Sequence, residues 1–251
     1  MSTAIRRAGH AGPEVVLLHS LALDHTVWRD LAAELGSDLR LFLVDLPGHG
    51  ASRDVAADSI EAMADLVADA LRDALDGAAV VVGLSLGGCV AQAVAARHPD
   101  LVRALVLADT TAWYGPSARA SWADRADRAA TEGLASLAEF QLARWFTTEY
   151  RQAHPEACAR LLALFGANDV ERYRDTCRAM GAMDLRAELG RICVPTAVLV
   201  GDQDEATPLA MAVELRDGIK GATLQVIPDC KHLSAIERPD VLVAAIRALS
   251  G

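Results

Sequence analysis

Apolar residues fall along this chain in two alternating rhythms. Short unbroken runs rich in Val, Leu and Ile recur at Val15 to His19, Leu39 to Val44, Ala79 to Leu84, Val102 to Ala108, Thr196 to Val200 and Thr223 to Ile227. A strand buried on both faces reads this way because neither of its sides meets water. Between the runs lie stretches of helical character, about Thr26 to Leu35 with Gly36 as a stop, Ser59 to Leu75, Cys89 to Arg97, Leu209 to Arg216 and Pro239 to Leu249. Pro239 suits a first helical turn, where its missing N–H costs nothing. Ahead of Pro13 there is room for one short strand, about Thr3 to Arg7. The alternation predicts an α/β fold built on a mostly parallel sheet with helices on both faces, since each crossover must return over the sheet in the same hand.

From about Thr110 to Met183 the alternation lapses into helical sequence rich in Ala and Arg, carrying Trp113, Trp122 and Trp145. An insertion that leaves directly from a strand's carboxyl end must sit above that end. The expected organisation is therefore a core of residues 1–109 and 184–251 with a helical cap, residues 110–183, over the site. The tryptophans either anchor this layer or line a pocket beneath it, and the second reading is preferred.

Ligand sites on such sheets gather at the carboxyl ends of the strands, where His19, Asp45, Ser85 and Asp109 fall. The sharpest of these signals is Gly83-Leu84-Ser85-Leu86-Gly87-Gly88, which joins a strong strand to a strong helix. A serine on so tight a turn leaves no room for side chains two positions either side, which accounts for Gly83 and Gly87. The helix start also aims N–H groups and a positive dipole end at the serine oxygen, which suits a reaction that develops an oxyanion.

A serine hydroxyl is a weak nucleophile until a base takes its proton, and that base must be oriented by a third group. Chain order offers Ser85, Asp204 and His232, each just past a predicted strand. Asp109, Asp202 and Asp204 all follow strands; the spacing Gly-x-x-Asp-x-x-x-Pro over Gly201 to Pro208 favours Asp204, with Asp109 as the alternative.

Composition narrows the class further. A chain of 251 residues supports one sizeable core, and 52% hydrophobic with 4% aromatic residues means that core is mostly Ala, Leu and Val. A net charge of −10 argues against nucleic acid and anionic membrane surfaces as partners, and requires local cations to draw in any anionic substrate. Five scattered cysteines without a Cys-x-x-Cys spacing point to reduced thiols and a cytoplasmic setting, and no Cys/His cluster predicts a metal. No apolar run has the length of a signal peptide core or a membrane span.

His19-Ser20 with Trp28 downstream, Asp45-Leu46-Pro47-Gly48-His49-Gly50-Ala51-Ser52, Gly83 to Gly88, Gly201 to Pro208 and Lys231-His232-Leu233 together resemble the α/β-hydrolase superfamily over almost the whole chain. Ser, then acid, then His is that fold's order. The resemblance implies an oxyanion hole made by the backbone N–H groups of Leu21 and Leu86. It also implies a shortened N-terminal strand region, because the usual opening hairpin does not fit ahead of Pro13. Ser20 stands where the superfamily usually has glycine. With the Asp-Gln-Asp-Glu-Ala-Thr-Pro loop, the C-terminal His-Leu-Ser-Ala-Ile-Glu-Arg-Pro and Arg144-Trp145-Phe146-Thr147, that serine resembles the 3-oxoadipate enol-lactonases, bacterial enzymes of aromatic catabolism.

The implied activity is hydrolysis of a small, carboxylate-bearing ester or lactone through an acyl-enzyme, with no metal or organic cofactor. A cationic group is expected in the cap, with Arg125 and Arg144 beside Trp122 and Trp145 as candidates. A general carboxylesterase or a carbon–carbon bond hydrolase would use the same triad. Ser85 disfavours epoxide hydrolases and dehalogenases, which need a carboxylate at the elbow. A non-catalytic binding protein on this fold usually carries a damaged triad.

Overall fold

The computed structural model describes residues 2–251 and forms one seven-stranded sheet in the order β1-β3-β2-β4-β5-β6-β7. Its strands are β1 (Ala4–Ala8), β2 (Glu14–Leu18), β3 (Arg40–Asp45), β4 (Ala79–Leu84), β5 (Val102–Ala108), β6 (Thr196–Gly201) and β7 (Thr223–Ile227). Only β1 runs antiparallel, pairing Ala4 with Asp45 and Ala8 with Leu41 on β3. Among the described residues it is the single strand ahead of Pro13, and it forms one edge of the sheet. The central strands β2 and β4 are buried at every position, which is why they read as unbroken apolar runs rather than alternating ones.

Helices α1 (Arg29–Leu35), α2 (Ile60–Ala74) and α3 (Leu86–Arg97) follow β2, β3 and β4 respectively. Helix α1 is preceded by a tight turn over His25–Trp28, so the predicted helix from Thr26 begins as a narrower coil, capped by the Asp24 side chain. Ser59 caps α2 by accepting the Ala62 N–H at 3.1 Å. Helix α3 starts at Leu86, directly on the serine and three residues earlier than the sequence pattern set it.

Five helices separate β5 from β6: α4 (Ala118–Glu132), α5 (Ala138–Trp145), α6 (Thr148–Ala153), α7 (Pro155–Gly166) and α8 (Val170–Ala182). Of these, α4 and α8 pack extensively on each other. After the sheet resumes come α9 (Leu209–Gly218), the one-turn α10 (Ser234–Glu237) and α11 (Pro239–Ser250). Helices α2 and α3 pack together on one face of the sheet and α1 and α11 on the other. Among the described residues no helix is long and apolar enough to cross a membrane.

Candidate active site

The turn from β4 into α3 holds Ser85 at φ 54°, ψ −114°, a backbone conformation that L-residues rarely adopt and that typically costs on the order of 1–3 kcal/mol. The flanking glycines have ordinary φ; close approach is what requires them. A Cβ on Gly83 would lie 2.3 Å from the Gly87 carbonyl oxygen, and one on Gly87 would lie 2.0 Å from that of Leu18. Strand, turn and helix are thus pressed together until only glycine fits, and the serine is driven out at the carboxyl edge of the sheet.

There Ser85 Oγ donates to Nε2 of His232 at 2.8 Å, and His232 Nδ1 donates to Oδ2 of Asp204 at 2.9 Å. Because a carboxylate can only accept, the second contact puts the imidazole proton on Nδ1 and leaves Nε2 free to receive the serine proton. All three residues are buried. Asp204 also accepts the Ala206 N–H (2.7 Å), the Thr207 N–H (3.0 Å) and the Thr207 hydroxyl (2.7 Å). Burial alone would raise this carboxyl, but His232 and the Thr207 donors override it and hold it at about 2.

Asp109, the alternative acid, sits under the same site at φ 48° and does not touch the imidazole. Its Oδ1 accepts the Gly201 N–H (3.2 Å) and its Oδ2 the Ser234 N–H (2.9 Å), so it ties the loop bearing Asp204 to the loop bearing His232. Full burial, then the nearby Asp204 charge, push Asp109 up to about 7. The geometry gives the imidazole to Asp204.

His19 and Asp45, also at strand ends, serve the loops. His19 Nδ1 donates to the Ser20 carbonyl (2.8 Å) while its Nε2 accepts the Leu46 N–H (3.0 Å), and burial lowers its basicity. This neutral tautomer fixes the turn that presents Leu21. Asp45 accepts N–H groups from His25 and Ala51 and a ring N–H from His25. Asp24, His25 and Asp45 are the one grouping of possible metal ligands among the described residues, but these bonds already engage the Asp45 oxygens and none of the three lines the cavity. Leu21 lies in the cavity wall beside Ser20 and Ser85. The Leu86 N–H is in the first turn of α3, where no intrahelical acceptor exists.

A cavity of about 320 Å³ opens over Ser85 and His232. Trp122 and Arg125 from α4 and Arg144 and Trp145 from α5 all line it, together with Tyr114, Phe140, Gln141 and Met180. Trp113 does not: it lies under the Arg186 guanidinium, 3.7 Å from its ring centre, and bridges to Asp184 where the insertion leaves and rejoins the sheet. Arg125 and Arg144 share the cavity with no carboxylate paired to either among the described residues. Burial, then repulsion from Arg125, pulls Arg144 below its ordinary value.

The insertion is stitched to the histidine loop. Leu233 N–H donates to the Trp145 carbonyl (3.1 Å), and Glu237 accepts N–H groups from Thr147 and Lys231, both at 2.9 Å. Thr207, Glu237 and Tyr173, whose hydroxyl accepts the Arg125 Nε–H at 2.6 Å, are the participants that sequence reasoning missed. The Thr three residues after Asp204 is a pattern by which Thr207 could have been found; nothing local marks the other two.

Residues 13–239 match the α/β hydrolase fold family, and the chain belongs to it. The chain is 33% identical over 247 residues to a pimeloyl-[acyl-carrier protein] methyl ester esterase of Nitrosomonas europaea, covering 95% of this chain and 96% of that protein. The crystal structure of the enol-lactonase from Burkholderia xenovorans superposes with a TM-score of 0.89 at 34% identity, covering 98% of this chain and 95% of that one. A malate-bound esterase from Thermogutta terrifontis superposes at 0.91 with 30% identity, covering 99% and 94%. Fold, family and the Ser85–His232–Asp204 geometry define a serine hydrolase of esters or lactones.

Proposed function

We propose that this enzyme hydrolyses a small carboxylate-bearing lactone, with 3-oxoadipate enol-lactone as the leading substrate. The observation that carries the reading is the pair of guanidiniums, Arg125 and Arg144, in the cavity that holds Ser85 and His232, neither of them in an ion pair among the described residues. Two like charges half-buried in one space are costly unless an anion joins them. The net charge of −10 makes such a local device necessary. The enol-lactonase and the malate-bound esterase among its structural neighbours fit the same substrate class.

In this reading His232, oriented by Asp204, takes the proton of Ser85 as its oxygen attacks the lactone carbonyl. The backbone N–H groups of Leu21 and Leu86 hold the oxyanion. Collapse of the tetrahedral species breaks the ring carbon–oxygen bond, leaving an acyl-enzyme and an enol that takes its proton from His232. Water activated by the same imidazole then releases the acid. Residues 110–183 act as the cap, with Trp122 and Trp145 as its apolar wall. The five unpaired cysteines support a cytoplasmic setting.

A second reading is cleavage of a methyl ester on a longer acyl chain, favoured by the Nitrosomonas relative. A panel of 3-oxoadipate enol-lactone, monomethyl pimelate and a neutral aryl acetate tests both. The enol-lactone should have the highest kcat/KM, and turnover of all three should vanish in Ser85→Ala. Efficient aryl acetate cleavage with no lactone hydrolysis would overturn the lactonase reading.

A further inference from the structure

The two cavity arginines are not equivalent. Arg125 is held from every side: its Nε donates to the Tyr173 hydroxyl at 2.6 Å. Its guanidinium carbon lies 4.9 Å from the ring centre of Trp122, 5.7 Å from Tyr173 and 5.8 Å from Phe140. Tyr173 is only 2% exposed and is itself held edge-on by Phe165, so the support does not drift. With Nε occupied by a neutral phenol, both terminal amino groups remain without an acceptor among the described residues. They form a planar two-pronged donor of the geometry that a carboxylate fills.

Arg144 differs on each count. It contacts one ring, Phe140, at 5.1 Å and gives a terminal N–H to the Glu205 carbonyl at 3.3 Å. Arg128, also in the cavity wall, faces Glu132 on its own helix at 3.9 Å. Aromatic faces stabilise a guanidinium without neutralising it, and they exclude the water that would otherwise solvate it. Its ordering in place is already complete before a ligand arrives.

We propose that Arg125 is a specificity-determining residue: a preformed fork, held by Tyr173, that reads a second carboxylate at the end of the ligand remote from Ser85. This rests on the hydrolase reading above and deepens it. The site selects half-esters and lactones of α,ω-dicarboxylic acids over uncharged analogues, and it retains the free dicarboxylate product. Arg144 adds field to the cavity without fixing the ligand.

Steady-state kinetics of the wild-type enzyme on monomethyl adipate and on methyl hexanoate, which share the methyl ester that must lie at Ser85 and differ only by a carboxylate at the far end, tests this directly. The half-ester should have a kcat/KM about tenfold or more above that of methyl hexanoate, the worth of one charge-assisted two-pronged contact. Arg125→Lys should cut that ratio below about threefold, because an ammonium cannot offer the fork, while Arg144→Lys should keep most of it. Tyr173→Phe leaves the guanidinium in place but frees it, and should give an intermediate ratio; it also decides the matter if Arg125→Lys does not fold. A wild-type ratio near one, or a ratio unchanged in Arg125→Lys or Tyr173→Phe, would overturn the assignment. Half-ester discrimination without enol-lactone turnover would remove the named substrate and leave the fork standing. Turnover without discrimination would do the reverse.

Discussion

The carboxyl edge of the sheet and the helices laid over it obey different rules. At the sheet edge every reacting polar group is matched: Asp204 takes four donors, and each nitrogen of His232 has a partner. Asp109 ties the two loops together. In the insertion nine arginines balance nine acids, yet of the three arginines lining the cavity two, Arg125 and Arg144, have no ion-pair partner among the described residues. The first region is a finished device with nothing left to bind except the reacting carbonyl. In the proposed reading the second is completed by the carboxylate of the substrate. On that reading chemistry and selection are held by separate parts of the chain, which meet across the cavity and at stitches such as those from Leu233 and Glu237.

The sharpest way to break that division is at the serine. Ser85→Ala should lower kcat on every ester by about 10⁴-fold or more, while Asp204→Asn should cost on the order of 10³–10⁴ through loss of the imidazole tautomer. Steady-state kinetics on an aryl acetate checks both, and an Asp109→Asn variant more damaged than Asp204→Asn would reverse the choice of acid. Next in size is Gly87→Ala, whose Cβ would meet the Leu18 carbonyl oxygen at 2.0 Å. It should destabilise the fold by about 3 kcal/mol in a denaturant titration. In the insertion, Trp122→Ala should lower kcat/KM about tenfold for a carboxylate-bearing lactone and by much less for an aryl acetate. Equal losses on both substrates would mean that the insertion takes part in the chemistry itself.

The smallest expected effect lies in pH dependence. Asp109 is raised from 3.8 to about 7, by burial first and by Asp204 second. Between those values the folded protein keeps a proton that the unfolded chain has released, so this group makes stability fall as pH rises through the window. Asp109→Asn cannot titrate. The gain in Tm on moving from pH 8 to pH 5 should therefore be smaller in the variant than in wild type, and parallel pH profiles would show that Asp109 keeps an ordinary carboxyl.

Much of the fold was legible because buried parallel strands and amphipathic helices leave different periods in the sequence, and each named strand was found within a residue or two. The elbow was legible because three glycines around Ser85 have no other local reason to cluster. Asp109 was the instructive ambiguity. Three acids follow strands in sequence, and only the contacts reveal that Asp109 spends both oxygens on the backbone of Gly201 and Ser234. Trp113 was expected in the pocket with Trp122 and Trp145, but its ring is taken by Arg186 at the root of the insertion.

The chain by itself determined the strand order of chemistry, Ser85 then Asp204 then His232, and the turn that exposes the serine. Both depend on neighbours a few residues away and on a sheet whose crossovers have one hand. Only the tertiary structure decided which acid meets the imidazole, that Ser85 reaches His232 across 147 residues, and that Tyr173 grips Arg125 across 48. Such partnerships leave no periodic trace, because they are set by where helices come to rest on one another rather than by the spacing of residues along any one of them.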